Sequence, residues 1–357
     1  MPKRQARKRH ERYDLERSPL AQRATQRDVA KLVRETVADL QKLATPRFKE
    51  QFLVRRPIKT GNKIRNLVYP EGRLRAVHER LKFHLNKITQ PSYLMSPRKN
   101  RSQRDNAAAH FDAVQYLTID IKQFYPSTTR SMIRRSIIEQ FNLNGDVAGL
   151  IAHLATADDR ACFGSPLTPV LATLVHRPMF NRIADICIEH GLNYSVWVDD
   201  LTVSGSEISG KFVSRLRETI AAYGLRSHKL VYRTGNRVVF ITGIGVVGSN
   251  LVVPNRVELR SKELWRDFQD AQRRNDVDDV DTAGARLLAH LGGIRHVVGP
   301  SSVRGQKLAN EMHSVRQKRN RAFRAQQDRM AQRVKTFRRL TAEEQEERRD
   351  EIDAIPF

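Results

Sequence analysis

Three aspartates stand at the ends of strand-like runs. Tyr116-Leu117-Thr118-Ile119-Asp120 closes one run, and Tyr194-Ser195-Val196-Trp197-Val198-Asp199-Asp200 closes another that continues into Leu201-Thr202-Val203-Ser204. An ionised carboxylate at the end of an apolar strand is costly unless it is paired or binds a cation. Three together can hold two divalent ions about 3.5–4 Å apart, the arrangement that carries in-line phosphoryl transfer. Hard oxygen donors favour Mg²⁺ over Zn²⁺. Asp120, Asp199 and Asp200 are therefore the candidate catalytic and metal-binding residues, with two Mg²⁺ ions expected. The plain alternative is a solvated Asp-Asp turn and an unrelated aspartate, since short motifs recur by chance. The residues after Asp120 change the odds. Tyr125, at the end of Asp120-Ile121-Lys122-Gln123-Phe124-Tyr125, could lie under a nucleotide's sugar and exclude a 2′-hydroxyl by volume; otherwise it is a core aromatic.

Composition narrows the partners. The chain has 357 residues, with 64 Lys and Arg against 39 Asp and Glu, a net charge of +25. Such an excess favours a polyanion, and nucleic acid is the commonest. Together with the carboxylates it points to a nucleic-acid polymerase. No apolar run approaches the ~20 residues that span a bilayer, and no signal-peptide pattern opens the sequence. Cys162 and Cys187 are the only cysteines, too few for a disulfide framework and without metal-ligand spacing. The expectation is a cytoplasmic protein with no membrane partner.

The elements that must position these residues read as an α+β fold. Residues 1–50 hold a basic segment, with Lys3, Arg4, Arg7, Lys8, Arg9 and Arg12, and then one helix around Val29, Leu32, Val33, Val37, Leu40 and Leu43. Two β-rich runs flank Gly61-Asn62 and predict a hairpin over 52–70. Helices are predicted over 74–88, 131–141, 169–190 and 212–223, and residues 231–253 read as β-rich. After Pro254 the chain turns helical, with Asn255 and Ser301 or Ser302 as candidate caps. Residues 313–340 carry ten basic residues and one acid, and 341–357 seven acids and two basic residues. The first of these blocks reads as a helix that grips phosphates, with Arg316, Lys318 and Arg319 in its midst.

The order of these motifs resembles that of a reverse transcriptase over residues 52–310. Asp120 to Ser127 is similar to the family's first palm motif, and Trp197-Val198-Asp199-Asp200 to its Tyr-x-Asp-Asp. Phe163-Gly164-Ser165-Pro166-Leu167-Thr168-Pro169-Val170-Leu171-Ala172-Thr173 resembles the Gln-Gly-x-Pro-x-Ser-Pro-x-Leu-x-Asn segment. The resemblance implies that Phe163 and Gly164 lie at the nucleotide, that Lys63 and Arg65 on the hairpin grip its triphosphate, and that Lys229 protonates the departing pyrophosphate. Asn106-Ala107-Ala108-Ala109-His110 and Ile241-Thr242-Gly243 resemble the Asn-Ala-x-x-His and Val-Thr-Gly elements of retron reverse transcriptases. In that group they are associated with recognition of the enzyme's own RNA, which makes Asn106, His110, Thr242 and Gly243 expected RNA-binding residues. Phe163 stands where the family has Gln, Trp197 where it has Tyr and Thr173 where it has Asn.

Taken together, the resemblance implies a right-hand polymerase. Residues 1–50 would be a basic N-terminal segment and helix, 51–110 fingers, 111–254 palm with part of the fingers interleaved, 255–310 a helical thumb, and 311–357 a basic helical extension with an acidic end. It implies a bacterial RNA-directed DNA polymerase that uses dNTPs and a structured noncoding RNA as template and primer. The product would be branched RNA–DNA (msDNA), made in antiphage defence, with an effector protein as a possible further partner. Two other readings stay open. One is a reverse transcriptase of group II intron or other defence type; the other is a noncatalytic RNA-binding scaffold with a polymerase fold.

Overall fold

The computed structural model describes residues 12–21, 23–60, 63–234 and 237–339. The cations at positions 3–9, the Gly61-Asn62 and Gly235-Asn236 turns and the acidic end lie outside the described residues. The chain divides into two compact units, Met1–Asn250 and Leu251–Phe357.

The first unit contains a five-stranded sheet and a helical layer. The strands are β1 (Leu53–Thr60), β2 (Lys63–Pro70), β3 (Leu94–Ser96), β4 (Gln115–Ile121), β5 (Thr156–Ala157), β6 (Arg160–Ala161), β7 (Asn193–Trp197), β8 (Asp200–Gly205), β9 (Ser227–Thr234), β10 (Val239–Ile241) and β11 (Ile244–Val247). The five-stranded sheet has the order β3-β7-β8-β4-β9. Its β3–β7 pair is parallel, and the other pairs are antiparallel. Successive side chains of a strand point to opposite faces. Leu117, Ile119 and Ile121 of β4 and Leu201 and Val203 of β8 thus enter one core with Met179, Phe180, Ile183, Phe212, Leu216 and Ile220. The last six come from the helices Arg177–Glu189 and Gly210–Ala222. The alternate residues Thr118, Asp120, Asp200, Thr202 and Ser204 are left for the other face.

A second core joins the helices Gln26–Val33, Val37–Ala44, Gly72–Leu85, Arg130–Phe141, Gly145–Ala155 and Thr168–Val175. Several elements differ from the sequence expectation. The single helix expected near residue 35 is two, because Arg34 ends the first in a left-handed conformation (φ 56°) and Thr36 caps the second by accepting from the Asp39 N–H. The helix expected over 169–190 breaks at His176, before Pro178; proline cannot donate within a helix. The helix Gly145–Ala155 escaped the sequence reading because it is apolar nearly all round, from Val147 to Ala155, and so shows no periodicity.

The second unit is helical: Asn255–Arg274, Val277–Val298 and Val303–Arg339. Leu264, Phe268, Leu287, Leu291, Ile294 and Val315 form its core. Asn255 opens the first helix without capping it. Ser302 does cap the last, its Oγ accepting from the Gly305 N–H at 3.0 Å. The expected border at residue 310 falls inside that continuous helix of 37 residues.

Candidate active site

The three aspartates meet where β4 and β7 end and β8 begins. Register sets Asp120 directly opposite Asp200, and Trp197 opposite Asp200. Val198 and Asp199 therefore form a two-residue turn. Val198 has φ +61°, a conformation that a β-branched residue adopts only when its surroundings impose it. Two backbone bonds do so: the Val198 N–H donates to the Ser96 carbonyl at 3.1 Å, and the Ile121 N–H donates to the Asp199 carbonyl at 2.9 Å. The result brings one carboxylate oxygen from each of Asp120, Asp199 and Asp200 within 4.8 Å of the others.

Electrostatics follow from this crowding. Partial burial, then the charge of Asp120, raises the Asp199 pKa, while Arg65 and Lys229 oppose the rise. Asp200 is pushed up to about 6 by loss of hydration, then by Asp199 and Asp120, with Lys229 again opposing. Three crowded hard oxygen donors with too little positive charge to balance them fit a divalent cation such as Mg²⁺.

Lys229 owes its position to a β-bulge. Between Thr118–Val231 and Asp120–His228, one residue of β4 faces two of β9. Lys229 sits in that extra space with φ +46°, and its Nζ lies 3.7 Å from Asp120 Oδ2. Bulges commonly re-aim a side chain beside a site in this way.

The residues expected at the nucleotide gather too. Tyr125 lies on the one-turn helix Phe124–Ser127 just beyond β4. Its ring is 6.1 Å from that of Phe163, tilted by 39°. Burial and the charge of Asp199 push the Tyr125 phenol up to about 12. The Phe163 carbonyl accepts from the Val68 N–H at 2.9 Å, which ties the β1–β2 hairpin to this loop. Gly164 makes the contact feasible: its φ is +118°, and a Cβ there would lie 3.2 Å from Tyr69 Cβ. Arg65 is exposed on β2 opposite Ile58, and Lys63 opens the same strand, opposite Thr60.

The residues expected to meet RNA divide. Asn106 and His110 are fully buried, so neither side chain has the exposure that direct contact with RNA needs. His110 instead joins Ser204 Oγ (Nδ1, 2.7 Å) to Ser195 Oγ (Nε2, 2.7 Å). The Asn106 amide faces Thr242 Oγ1 at 3.4 Å. Thr242 and Gly243 form the two-residue turn between β10 and β11, with φ of +47° and +87°. Positive φ at both positions is the type I′ pattern. Thr242 is half-buried and Gly243 exposed. In the second unit Arg316 and Lys318 are exposed, but Arg319 is held by Asp281 of the neighbouring helix, Nε to Oδ1 3.1 Å. Its stem lies over Gly284, where a Cβ would come within 2.5 Å of Arg319 Cδ. That arginine fastens two helices and is less free to grip phosphate than its neighbours.

Sequence reasoning missed two other buried histidines that steady the site loops. His78 contacts the Leu154 carbonyl through Nε2 (2.9 Å) and Ser165 Oγ through Nδ1 (2.6 Å). The carbonyl can only accept, so Nε2 carries the proton and Ser165 donates to Nδ1. His176 Nε2 lies 3.0 Å from Thr128 Oγ1, just after the Tyr125 helix. His78 falls on the apolar face of its predicted helix, the one signal that marks it. Thr173, which stands where the resembled motif has Asn, spends its hydroxyl on the Pro169 carbonyl at 2.8 Å.

With this geometry in hand, the retron resemblance finds independent support. The chain is 25% identical to the retron Mx65 reverse transcriptase of Myxococcus xanthus over 185 residues, 47% of this chain and 43% of that protein. It is 25% identical to the retron Ec86 reverse transcriptase of Escherichia coli over 147 residues, 41% and 46% of the two chains. The retron Ec48 reverse transcriptase of the same organism matches at 24% identity over 220 residues, 58% and 53%. The chain thus spans about half the length of the curated relatives it matches. No family model matches it. Among solved structures, an apo telomerase from Candida tropicalis, truncated from its C-terminal domain, aligns at a TM-score of 0.42 and 11% identity, over 62% of this chain and 61% of that one. Over its matched region the chain is similar to retron reverse transcriptases.

Proposed function

We propose that this protein is an RNA-directed DNA polymerase of retron type. The observation that carries the reading is the approach of Asp120, Asp199 and Asp200 to within 4.8 Å, in a chain similar to retron reverse transcriptases. The five-stranded sheet would be the palm, the β1–β2 hairpin with its helical layer the fingers, and the helical second unit the thumb and its basic extension.

The reaction is attack by a primer hydroxyl oxygen on the α-phosphorus of a dNTP. The new P–O bond forms as the bond to the β-phosphate bridge breaks, and pyrophosphate departs. Two Mg²⁺ held by Asp120, Asp199 and Asp200 would ease loss of the hydroxyl proton and balance charge on the leaving group. Lys63 and Arg65 bind the triphosphate from the hairpin. Lys229, held beside Asp120, is placed to give a proton to pyrophosphate and regain it from water. Tyr125, tilted beside Phe163, blocks the space a 2′-hydroxyl needs and so selects deoxynucleotides. A structured RNA would supply template and primer, with a 2′-hydroxyl of that RNA as the first nucleophile, giving msDNA. Arg316 and Lys318 would hold phosphates of the RNA or the growing duplex.

Two experiments test this. Extension of a DNA primer on an RNA template should require Mg²⁺ and vanish in Asp199→Asn while RNA binding persists; synthesis retained by that variant would overturn the active-site assignment. Nucleic acid recovered with the protein from cells carrying its neighbouring DNA should contain RNA–DNA cut by a debranching enzyme. Unbranched DNA would keep the polymerase and discard the retron; RNA alone, with no extension in vitro, would favour a scaffold.

A further inference from the structure

We infer that the Asn106–His110 segment is a fastening for the catalytic hairpin, with His110 a positioning residue for Asp199 and Asp200. This rests on the reading of those aspartates as metal ligands.

His110 is fully buried, and its two ring nitrogens reach the two strands that carry the aspartates. Ser195 lies on β7 and Ser204 on β8, each 2.7 Å from the ring. Ser195 stands opposite Thr202, and Ser204 stands opposite Asn193. Alternation puts Ser204, Thr202 and Asp200 on one face, with Ser195 and Trp197 beside them. The imidazole therefore cross-links the hairpin on the carboxylate face, behind the site. Burial depresses its pKa to about 4, so the ring is neutral at working pH. A neutral ring has one donor and one acceptor, so one serine donates to it and the other accepts from it.

This cross-link fits one register. A slip of β8 by a single residue would carry Ser204 away from the ring and turn Asp200 to the opposite face. The same slip would leave buried polar groups without partners, which is costly. His110 thus penalises the register in which the carboxylates would be apart. At the other end of the segment, one helical turn earlier, Asn106 faces the Thr242 hydroxyl of the β10–β11 turn. A single short segment thereby fastens two hairpins. The element that distinguishes retron reverse transcriptases by sequence acts here from inside the protein.

The test compares full-length wild type with His110→Leu, His110→Gln, Ser195→Ala and Ser204→Ala. Mn²⁺ binding is followed by electron paramagnetic resonance and folding by thermal melting. Groups bonded directly to a metal ligand typically change metal affinity by about 10–100-fold, and His110, acting through Ser195 and Ser204, should fall at the low end of that range, about 10-fold. His110→Leu should weaken Mn²⁺ binding by roughly that factor and raise the Mg²⁺ needed for half-maximal extension in step, with the dNTP KM moving less. His110→Gln, which can still donate and accept, should recover part of the loss. A folded His110→Leu protein with Mn²⁺ affinity within about twofold of wild type would overturn the inference. If that variant does not fold, the serine variants decide: weakened Mn²⁺ binding supports the fastening, and unchanged binding overturns it. Absence of Mn²⁺ binding in wild type would instead remove the metal-site reading, and this inference with it.

Discussion

The five-stranded sheet and the helical second unit use charge in opposite ways. In the sheet, three carboxylates matter because of where they are. Asp120 is set by strand pairing, Asp199 by a strained turn and Asp200 by register, and Lys229 is aimed at them by a bulge. In the helical unit, charge matters by number. Arg316 and Lys318 lie along an uninterrupted helix, where any one cation has neighbours that can replace it. The sheet is therefore brittle to single substitutions, and the helix should degrade gradually.

The largest effect expected is on the sheet. Asp199→Asn should reduce Mg²⁺-dependent primer extension to background, measured on an RNA template. Retained activity would erase the contrast.

Acid should unfold the first unit next. His78, His110 and His176 are buried with pKa values of about 4, below the ordinary 6.5. As pH falls from 6.5, the unfolded chain takes up protons that the folded rings refuse, so stability drops until about pH 4. The upper limit is on the order of 3 kcal/mol per ring. Melting between pH 7.5 and 4.5 should show the loss, and His176→Asn should flatten it.

Gly164→Ala should cost about 1–3 kcal/mol, from a disfavoured φ and contact with Tyr69. Urea unfolding reads the stability. The dNTP KM should rise as well, because the hairpin with Arg65 rests on this loop.

A smaller change concerns the proposed metal site. Asp200 titrates at about 6, above the ordinary 3.8, so without a cation its ionisation costs stability as pH rises through 6. Mg²⁺ should therefore raise the melting temperature more at pH 7.5 than at 5.5.

The gentlest effect belongs to the helix. Arg316→Ala or Lys318→Ala should each weaken RNA binding a few-fold and lower the salt slope by about one. Arg319→Ala should act mainly on melting, since that side chain is held by Asp281. Loss of all RNA binding from any one of these would show that the helix also depends on exact placement.

Much of the sheet was legible because strands announce their faces. Alternation separates Ile119 from Asp120 and Leu201 from Asp200 without any structure. Gly164 was legible by resemblance, and its reason, the closeness of Tyr69, was not. What sequence could not give were long-range partners. Nothing local says that His110 meets Ser195 and Ser204, or that Asp281 claims Arg319. The bulge at Lys229 was hidden for the same reason, since it exists only in relation to β4. The helix Gly145–Ala155 lacked a polar face and so had no period to read.

The turn at Val198 and Asp199 has an evolutionary corollary. A two-residue hairpin has no slack: inserting or deleting one residue on either strand would reverse the faces of everything beyond it. Selection can thus revise this hairpin by exchange far more readily than by changes in length, which would need a compensating bulge such as the one at Lys229. An exchange such as Trp197, which leaves the count intact, is the variation such a frame can carry. Length variation should accumulate elsewhere among the protein's relatives, in the loops that no carboxylate depends on.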